Sequence, residues 1–227
     1  MHILLVSATP FEIAPTLTWL QANFQQTAEG VFVREEIIVQ TLITGVGMTA
    51  TAFQLGQFFA QARPDWAINA GIVGTFDPNL NIGDVVQIVS ERFGDLGVEE
   101  ADGQFTDLAE MGFIPQSLMN NPQPPIPTLT ICQGLTVNKV HGNAASILKI
   151  RTKYPDAQVE SMEGAAFFYA CLASGVPFVE IRSISNRVEP RNREAWNLPL
   201  AIQNLNDVLV EMLDFKSSNE TRMTRIY

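Results

Sequence analysis

One segment combines an apolar helix pattern with an apolar strand pattern, and it constrains the fold more than any other. Residues 161–174 read as a helix that is apolar on all sides and is closed by Gly175 and Pro177. Residues 178–185 then read as a buried strand. A helix without a polar face must be buried, and a strand that is apolar on both faces is typical of a sheet covered by helices. The segment therefore predicts an α/β protein.

Two polar side chains interrupt this segment. Glu163 lies within the predicted helix, and Asn186 follows the end of the predicted strand. A buried charge is costly unless it is paired or hydrogen-bonded, so we expect Glu163 to have a partner, and a ligand can serve. One helix, one turn and one strand separate the two residues. That spacing can bring both to the carboxyl edge of a parallel sheet, where open α/β proteins bind ligands. An ordinary turn residue is the alternative reading of Asn186.

The same alternation of strands and helices runs through the rest of the chain. Residues 93–127 are irregular in pattern, and residues 216–227 form a polar C-terminal tail that we expect to fray. The sequence therefore predicts one α/β domain over residues 1–215. The other predicted strands are 2–7, 31–33, 37–43, 66–69, 85–89 and 128–133, and the other predicted helices are 11–24, 49–62, 143–153 and 198–215.

Composition and charge exclude several classes of function. A net charge of −10 over 227 residues argues against nucleic acid or an anionic membrane as a partner. No apolar run reaches the roughly 18 residues that a membrane span requires, and residues 1–6 read as a strand rather than a signal peptide. Cys132 and Cys171 lie in apolar sequence, which indicates reduced, buried thiols and a cytoplasmic protein. With only two histidines we expect no metal site and no cofactor.

A glycine turn and an early carboxylate are the remaining candidates for chemistry. Residues 45–50 fit the G-x-G-x-x-A variant of the dinucleotide motif, but Asp65 precedes the next strand instead of ending it, which disfavours a dinucleotide. The turn either lets the backbone approach a smaller ligand or is purely structural. Glu12 follows the first strand; it is either catalytic or a solvated residue of the first helical turn.

Taken in order, six motifs resemble the nucleoside phosphorylase/nucleosidase superfamily over nearly the whole chain. The closest groups are methylthioadenosine/S-adenosylhomocysteine nucleosidase and, through residues 159–189, futalosine hydrolase. The resemblance implies a single three-layer α/β/α domain with a central mixed, mostly parallel twisted sheet. The motifs are Glu12 after the first strand and residues 44–47, 69–74, 82–86, 161–163 and 184–186.

The resemblance also implies roles for individual residues. Glu12 would activate water, Glu163 would bind the ribose hydroxyls, and Asn186 would contact the base. Nucleosidases carry an aspartate at the position of Asn186. A carboxamide can donate to O6 or N7 of a purine and accept from a ring N–H, which complements a 6-oxopurine rather than adenine. The remaining implied substrate contacts are Gly45, Gly71, Ile72, Val137, Asn138, Met162 and Arg187. The 5′ carboxylate would pair with Arg187, Arg191 or Arg193; arginines that only cover a surface loop are the alternative.

The resemblance leads us to expect hydrolysis rather than phosphorolysis. Phosphorylases of this superfamily hold phosphate with arginines and a serine, whereas residues 71–74 read Gly-Ile-Val-Gly and no arginine adjoins the glycine turn. The expected reaction is cleavage of futalosine to hypoxanthine in menaquinone biosynthesis. An adenine nucleosidase, a purine phosphorylase and a nucleoside-binding module without turnover are the alternatives. The family often borrows residues from a neighbouring subunit, so a homo-oligomer is expected, with residues 93–127 covering the 5′ side.

Overall fold

The computed structural model describes residues 1–214, in which a central sheet lies between two layers of helices. The helices are α1 (Ala14–Asn23), α2 (Met48–Gln61), α3 (Ala144–Lys153), α4 (Gly164–Ser174) and α5 (Leu198–Leu213). The strands are β1 (His2–Ser7), β2 (Gln25–Ala28), β3 (Val31–Arg34), β4 (Ile37–Ile43), β5 (Trp66–Thr75), β6 (Val85–Glu91), β7 (Gly97–Glu99), β8 (Phe105–Asp107), β9 (Met119–Asn120), β10 (Thr130–Thr136), β11 (Val159–Ser161) and β12 (Phe178–Arg187). The predicted tail, residues 216–227, lies outside the described residues.

The main sheet has the strand order β11-β10-β6-β12-β5-β1-β4-β3-β2. Parallel pairs join β4 to β1, β1 to β5, and β5 to β12, and β10 pairs in parallel with both β6 and β11. Antiparallel pairs join β12 to β6 and add β3 and β2 at one edge. The central mixed sheet with parallel strands at its middle confirms the predicted fold class.

Each face of the sheet carries its own hydrophobic core, because successive side chains of a strand point to opposite faces. Ile3 and Leu5 of β1 belong to the core that α1 and α5 cover, together with Leu20, Leu205 and Leu209. Leu4 and Val6 of the same strand belong to the core beneath α2 and α4, with Leu55, Phe167 and Phe168. The two cores establish the three layers that the resemblance implies.

The structure corrects two predicted boundaries that bear on the site. The strand predicted over 66–69 extends to Thr75, so Gly71 and Gly74 lie inside β5. The helix predicted from Ser161 begins only at Gly164, because Ser161 ends β11 and its hydroxyl accepts the N–H of Gly164 at 3.2 Å. Glu163 therefore lies in the turn before α4, and the prediction that it lies within the helix is wrong.

The prediction that this helix is buried on all sides is also wrong. Phe167, Phe168 and Cys171 of α4 are fully buried, but Tyr169 is 61% exposed and Leu172 is 39% exposed. The helix thus packs one face on the sheet and leaves an apolar face open. None of the helices within residues 1–214 has the length and hydrophobicity that crossing a bilayer requires.

Candidate active site

Glu12 lies just beyond the carboxyl end of β1 and is held by four hydrogen bonds. Its Oε2 accepts the backbone N–H and the hydroxyl of Thr9, each at 3.0 Å, and the hydroxyl of Ser7 at 3.2 Å. Its Oε1 accepts the N–H of Ile72 in β5 at 3.2 Å. The side chain is buried although it carries a carboxylate. These contacts hold the carboxylate between β1 and β5. They rule out the alternative that Glu12 is a solvated residue of the first helical turn.

Glu163 is hydrogen-bonded to the glycine turn that precedes α2. Its Oε1 accepts the N–H of Gly47 at 3.0 Å, and its Oε2 lies 3.9 Å from Nη1 of Arg182. Gly47 has φ +99° and Gly45 has φ +84°, conformations that favour glycine. The turn before α2 thus presents a backbone donor to the buried carboxylate of Glu163.

Arg182 is the functional residue that the sequence reasoning missed. It is fully buried in β12, and its Nε donates to Oε1 of Glu180 at 2.7 Å. Its Nη1 and Nη2 are buried without a hydrogen-bond partner in the described residues. Arg182 pairs across the sheet with Gly71, and a Cβ at Gly71 would lie 2.2 Å from Nη1 and 2.8 Å from Oε1 of Glu12. Gly71 therefore makes room for the guanidinium to face Glu12.

A sequence signal for Arg182 was available. Glu180 and Arg182 stand two positions apart in an otherwise apolar strand, so both side chains point to the same face. Opposite charges with that spacing in a buried strand indicate an internal ion pair. The pattern does not reveal which other groups the pair meets, since these come from distant parts of the chain.

Burial and charge together set the protonation of the site. Burial raises the pKa of Glu163, and the Arg182 guanidinium and the Gly47 N–H partly oppose that rise. The carboxylates of Glu180, Glu163 and Glu12 raise the pKa of Arg182 against the effect of its burial, so the guanidinium stays charged. The site is thus a buried cation between carboxylates, and two of its guanidinium nitrogens make no hydrogen bond to the described residues.

Asn186 lies four residues beyond Arg182 on β12, and Met162 precedes Glu163 in the chain. Asn186 sits at a bulge where β12 passes Gly74 of β5, and its Oδ1 accepts the hydroxyl of Ser185 at 2.8 Å. Its Nδ2 donates to the carbonyl of Arg187 at 2.9 Å. One N–H and one lone pair of the amide remain for a ligand. Met162, next to Glu163, is half-buried.

Three other predicted substrate contacts, Arg187, Val137 and Asn138, lie apart from this cluster, and their contact with substrate stays a prediction. The guanidinium of Arg187 donates to the carbonyls of Asp77 and Leu80, at 3.2 and 3.1 Å, and so fastens the loop after β5. Val137 is fully buried in a separate core cluster. Asn138 is exposed, and its backbone N–H donates to Asp95 at 2.7 Å.

Comparison with known proteins agrees with this geometry. A family model described as the phosphorylase superfamily matches residues 2–214. A futalosine hydrolase of Streptomyces coelicolor is 35% identical over 179 residues, which are 74% of this chain and 75% of that protein. A 5′-methylthioadenosine/S-adenosylhomocysteine nucleosidase of Glaesserella parasuis is 28% identical over 188 residues, covering 78% of this chain and 80% of that protein.

A solved structure shows the same fold. The native structure of futalosine hydrolase of Helicobacter pylori has a TM-score of 0.77 at 17% identity, and the match covers 94% of this chain and 97% of that chain. The family model spans the described residues almost completely, and the Streptomyces relative is more than 30% identical. The resemblance seen in the motifs is confirmed, and the chain belongs to the phosphorylase superfamily.

Proposed function

We propose that this protein hydrolyses the N-glycosidic bond of futalosine and releases hypoxanthine, as a cytoplasmic enzyme of menaquinone biosynthesis with residues 1–215 as its catalytic domain. The observation that carries the proposal is the placement of Glu12 and Glu163 around the two unpartnered nitrogens of Arg182. Relatives named futalosine hydrolase at 35% and 32% identity support this substrate.

Glu163 binds the ribose in this proposal. One of its oxygens takes the N–H of Gly47, and the other faces Arg182 across 3.9 Å, which leaves it able to accept from a sugar hydroxyl. A carboxylate at the 2′- and 3′-hydroxyls also stabilises the positive charge that develops on the sugar as the glycosidic bond breaks.

Glu12 and Arg182 hold the attacking water. Oε2 of Glu12 is saturated by Ser7 and Thr9, whereas Oε1 has one donor among the described residues, the N–H of Ile72. A water between Oε1 and Nη1 of Arg182 would donate to the carboxylate and accept from the guanidinium. Glu12 takes the proton as the water oxygen bonds to the anomeric carbon and the glycosidic C–N bond breaks with its electron pair leaving on the base, and general base catalysis of this kind is worth about 10²–10⁴-fold in rate. The base then gains a proton from solvent, and Glu12 returns its proton to solvent.

The charge of the cluster favours water over phosphate as the nucleophile. Arg182 is paired with Glu180 and faces Glu12 and Glu163, so a phosphate dianion entering here would meet more negative charge than positive. A neutral water suffers no such repulsion. The site therefore supports hydrolysis.

Asn186 recognises the leaving base. Its free N–H can donate to O6 of hypoxanthine and its free lone pair can accept from a ring N–H. Adenine presents an amino group where hypoxanthine presents O6, so two donors would face each other and adenine nucleosides would be disfavoured.

A second copy of the chain covers the apolar faces of α2 and α4 in this proposal. Val46, Phe53 and Tyr169 are 58%, 60% and 61% exposed in the single chain. Exposed apolar patches of this kind mark interaction surfaces. Light scattering should give the mass of a dimer or larger oligomer, and Phe53→Glu should reduce it; a wild-type monomer would refute this part.

A substrate panel tests the function. The enzyme is incubated with futalosine, inosine and methylthioadenosine, each with and without phosphate, and the free base is measured. We expect base release from futalosine at a rate that phosphate does not change. Release from methylthioadenosine alone would establish an adenine nucleosidase instead. Release only with phosphate would establish a phosphorylase, and binding without release would establish a nucleoside-binding protein.

A further inference from the structure

A second buried carboxylate lies behind the Arg182–Glu180 pair. Glu91, at the end of β6, is 1% exposed, and Glu180 is 0% exposed. A Cβ at Gly164 would lie 2.1 Å from Oε1 of Glu91 and 2.8 Å from Oε1 of Glu180, so both oxygens lie beside that glycine. A Cβ at Gly134 would also meet Oε1 of Glu91, at 2.3 Å. Two glycines thus make room for the carboxylate pair.

The charges of the cluster cannot all be present at once. Glu12, Glu163, Glu180 and Glu91 are all buried, and all four lie near one guanidinium. Four carboxylates against one cation would leave a large uncompensated charge, which buried sites avoid by taking up protons. At least one of these groups therefore holds a proton.

We propose that Glu91 and Glu180 form an acid–carboxylate pair, with Glu91 neutral and Glu180 ionised, that positions Arg182 toward the attacking water. Arg182 then keeps Nη1 near Glu163 and, over Gly71, near Glu12, because Glu180 holds its Nε. The positioning role rests on the proposed function, whereas the protonation state of the pair does not.

The hydrogen bonds assign the proton to Glu91. Glu180 accepts from the charged Arg182, which stabilises its ionised form. Within residues 1–214, Glu91 accepts only from neutral donors, the Thr136 hydroxyl at 2.9 Å and the Arg92 backbone N–H at 3.2 Å, and both bind its Oε2. Its Oε1 is left to carry the proton toward Glu180. Burial raises the pKa of Glu91 well above its ordinary range, and the Glu180 charge raises it further.

The titratable groups around Glu91 and Glu180 are consistent with a proton on Glu91. From α4, the Cys171 thiol faces Glu180, and burial raises the pKa of that thiol so that it stays neutral. From the turn before α4 and the loop after β1, Glu163 and Glu12 add negative charge on the Arg182 side. Both carboxylates oppose a second ionisation in the pair.

Two matched variants test the assignment through the pH dependence of kcat/KM for futalosine. Glu180→Gln keeps an acceptor for Arg182 but removes a negative charge, which lowers the pKa of Glu163. The acid limb of the profile should move to lower pH by about one unit, the smaller end of the effect of a nearby charge. Glu91→Gln imitates the neutral acid and should leave the acid limb in place. The proposal is overturned if the acid limb of the kcat/KM profile shifts in Glu91→Gln, or if it does not shift in Glu180→Gln.

Infrared spectroscopy of the ligand-free protein tests whether Glu91 is protonated, and it does not depend on enzyme activity. We expect a carboxylic-acid C=O stretch at neutral pH in the wild type and in Glu180→Gln. We expect this band to disappear in Glu91→Gln. A wild type without such a band, or a band that survives in Glu91→Gln and is lost in Glu180→Gln, overturns the proposal. If futalosine is not cleaved but the band behaves as expected, the proposed function fails and the acid–carboxylate pair stands.

Discussion

Replacement of Arg182 by methionine should destabilise the protein strongly and in a pH-dependent way. The side chain is fully buried, with Nε 2.7 Å from Glu180 and Nη1 3.9 Å from Glu163. Methionine fills the space of the aliphatic stem but leaves Glu180, itself 0% exposed, without a countercharge. Breaking a buried ion pair in this way costs about 3–5 kcal/mol, a large share of the roughly 5–15 kcal/mol that stabilises a typical protein.

The pH dependence follows from the carboxylates that lose their cation. In Arg182→Met, burial raises the pKa of Glu180 in the folded state above its unfolded value, with no guanidinium to oppose the rise. The loss of unfolding free energy is therefore greatest at pH values above the pKa of Glu180 in the folded state. It shrinks as the pH falls toward the pKa of Glu180 in the unfolded state, because the folded protein then takes up a proton on Glu180. The loss of stability should be larger at about pH 8 than at about pH 5.

Urea denaturation of wild type and variant at both pH values measures this effect. The double variant Arg182→Met/Glu180→Gln is the matched control, because it removes the uncompensated charge and should recover part of the lost free energy of unfolding. A loss below about 1 kcal/mol, the level of an exposed ion pair, would refute the reasoning. So would an equal loss at both pH values, or a double variant no more stable than the single one.

Three further substitutions test the site. Glu12→Gln should lower kcat by about 10²–10⁴-fold while calorimetry still detects futalosine binding; turnover near the wild-type rate would contradict a base at Glu12. Asn186→Asp should raise the ratio of kcat/KM for methylthioadenosine to that for futalosine, and an unchanged ratio would contradict recognition of O6. Gly71→Ala places a Cβ 2.2 Å from Nη1 of Arg182, so it should lower the free energy of unfolding by about 1–3 kcal/mol and lower kcat; a fully active, stable variant would show that the guanidinium is not needed there.

Local sequence patterns predicted the α/β class, because buried strands and amphipathic helices each carry their own periodicity, whereas the three layers were implied by the family resemblance. The start of α4 was predicted wrongly because the pattern stays apolar across Ser161, and only pairing of β11 with β10 and β5 shows that the chain is still extended there. The face of α4 at Tyr169 was predicted as buried because composition cannot distinguish a core from an apolar surface.

The site was predicted only where a motif marks it. Glu12 and Glu163 stand in recognisable motifs, but the reason that Glu163 is tolerated, the Gly47 N–H, lies 116 positions away. Arg182, Glu180 and Glu91 carry no motif, and their cluster exists because β6, β12 and the turn before α4 converge. The sequence also did not reveal that the Arg187 guanidinium donates to the carbonyls of Asp77 and Leu80, and its role in binding substrate stays a prediction.

The fate of solvent oxygen tests the central claim most directly. Futalosine is incubated with the enzyme in ¹⁸O-labelled water with phosphate present, and the sugar product is analysed by mass spectrometry. We predict hypoxanthine release with one ¹⁸O at the anomeric carbon of the sugar product. A sugar 1-phosphate without the label, or no cleavage of futalosine, would contradict water attack assisted by Glu12 and Arg182.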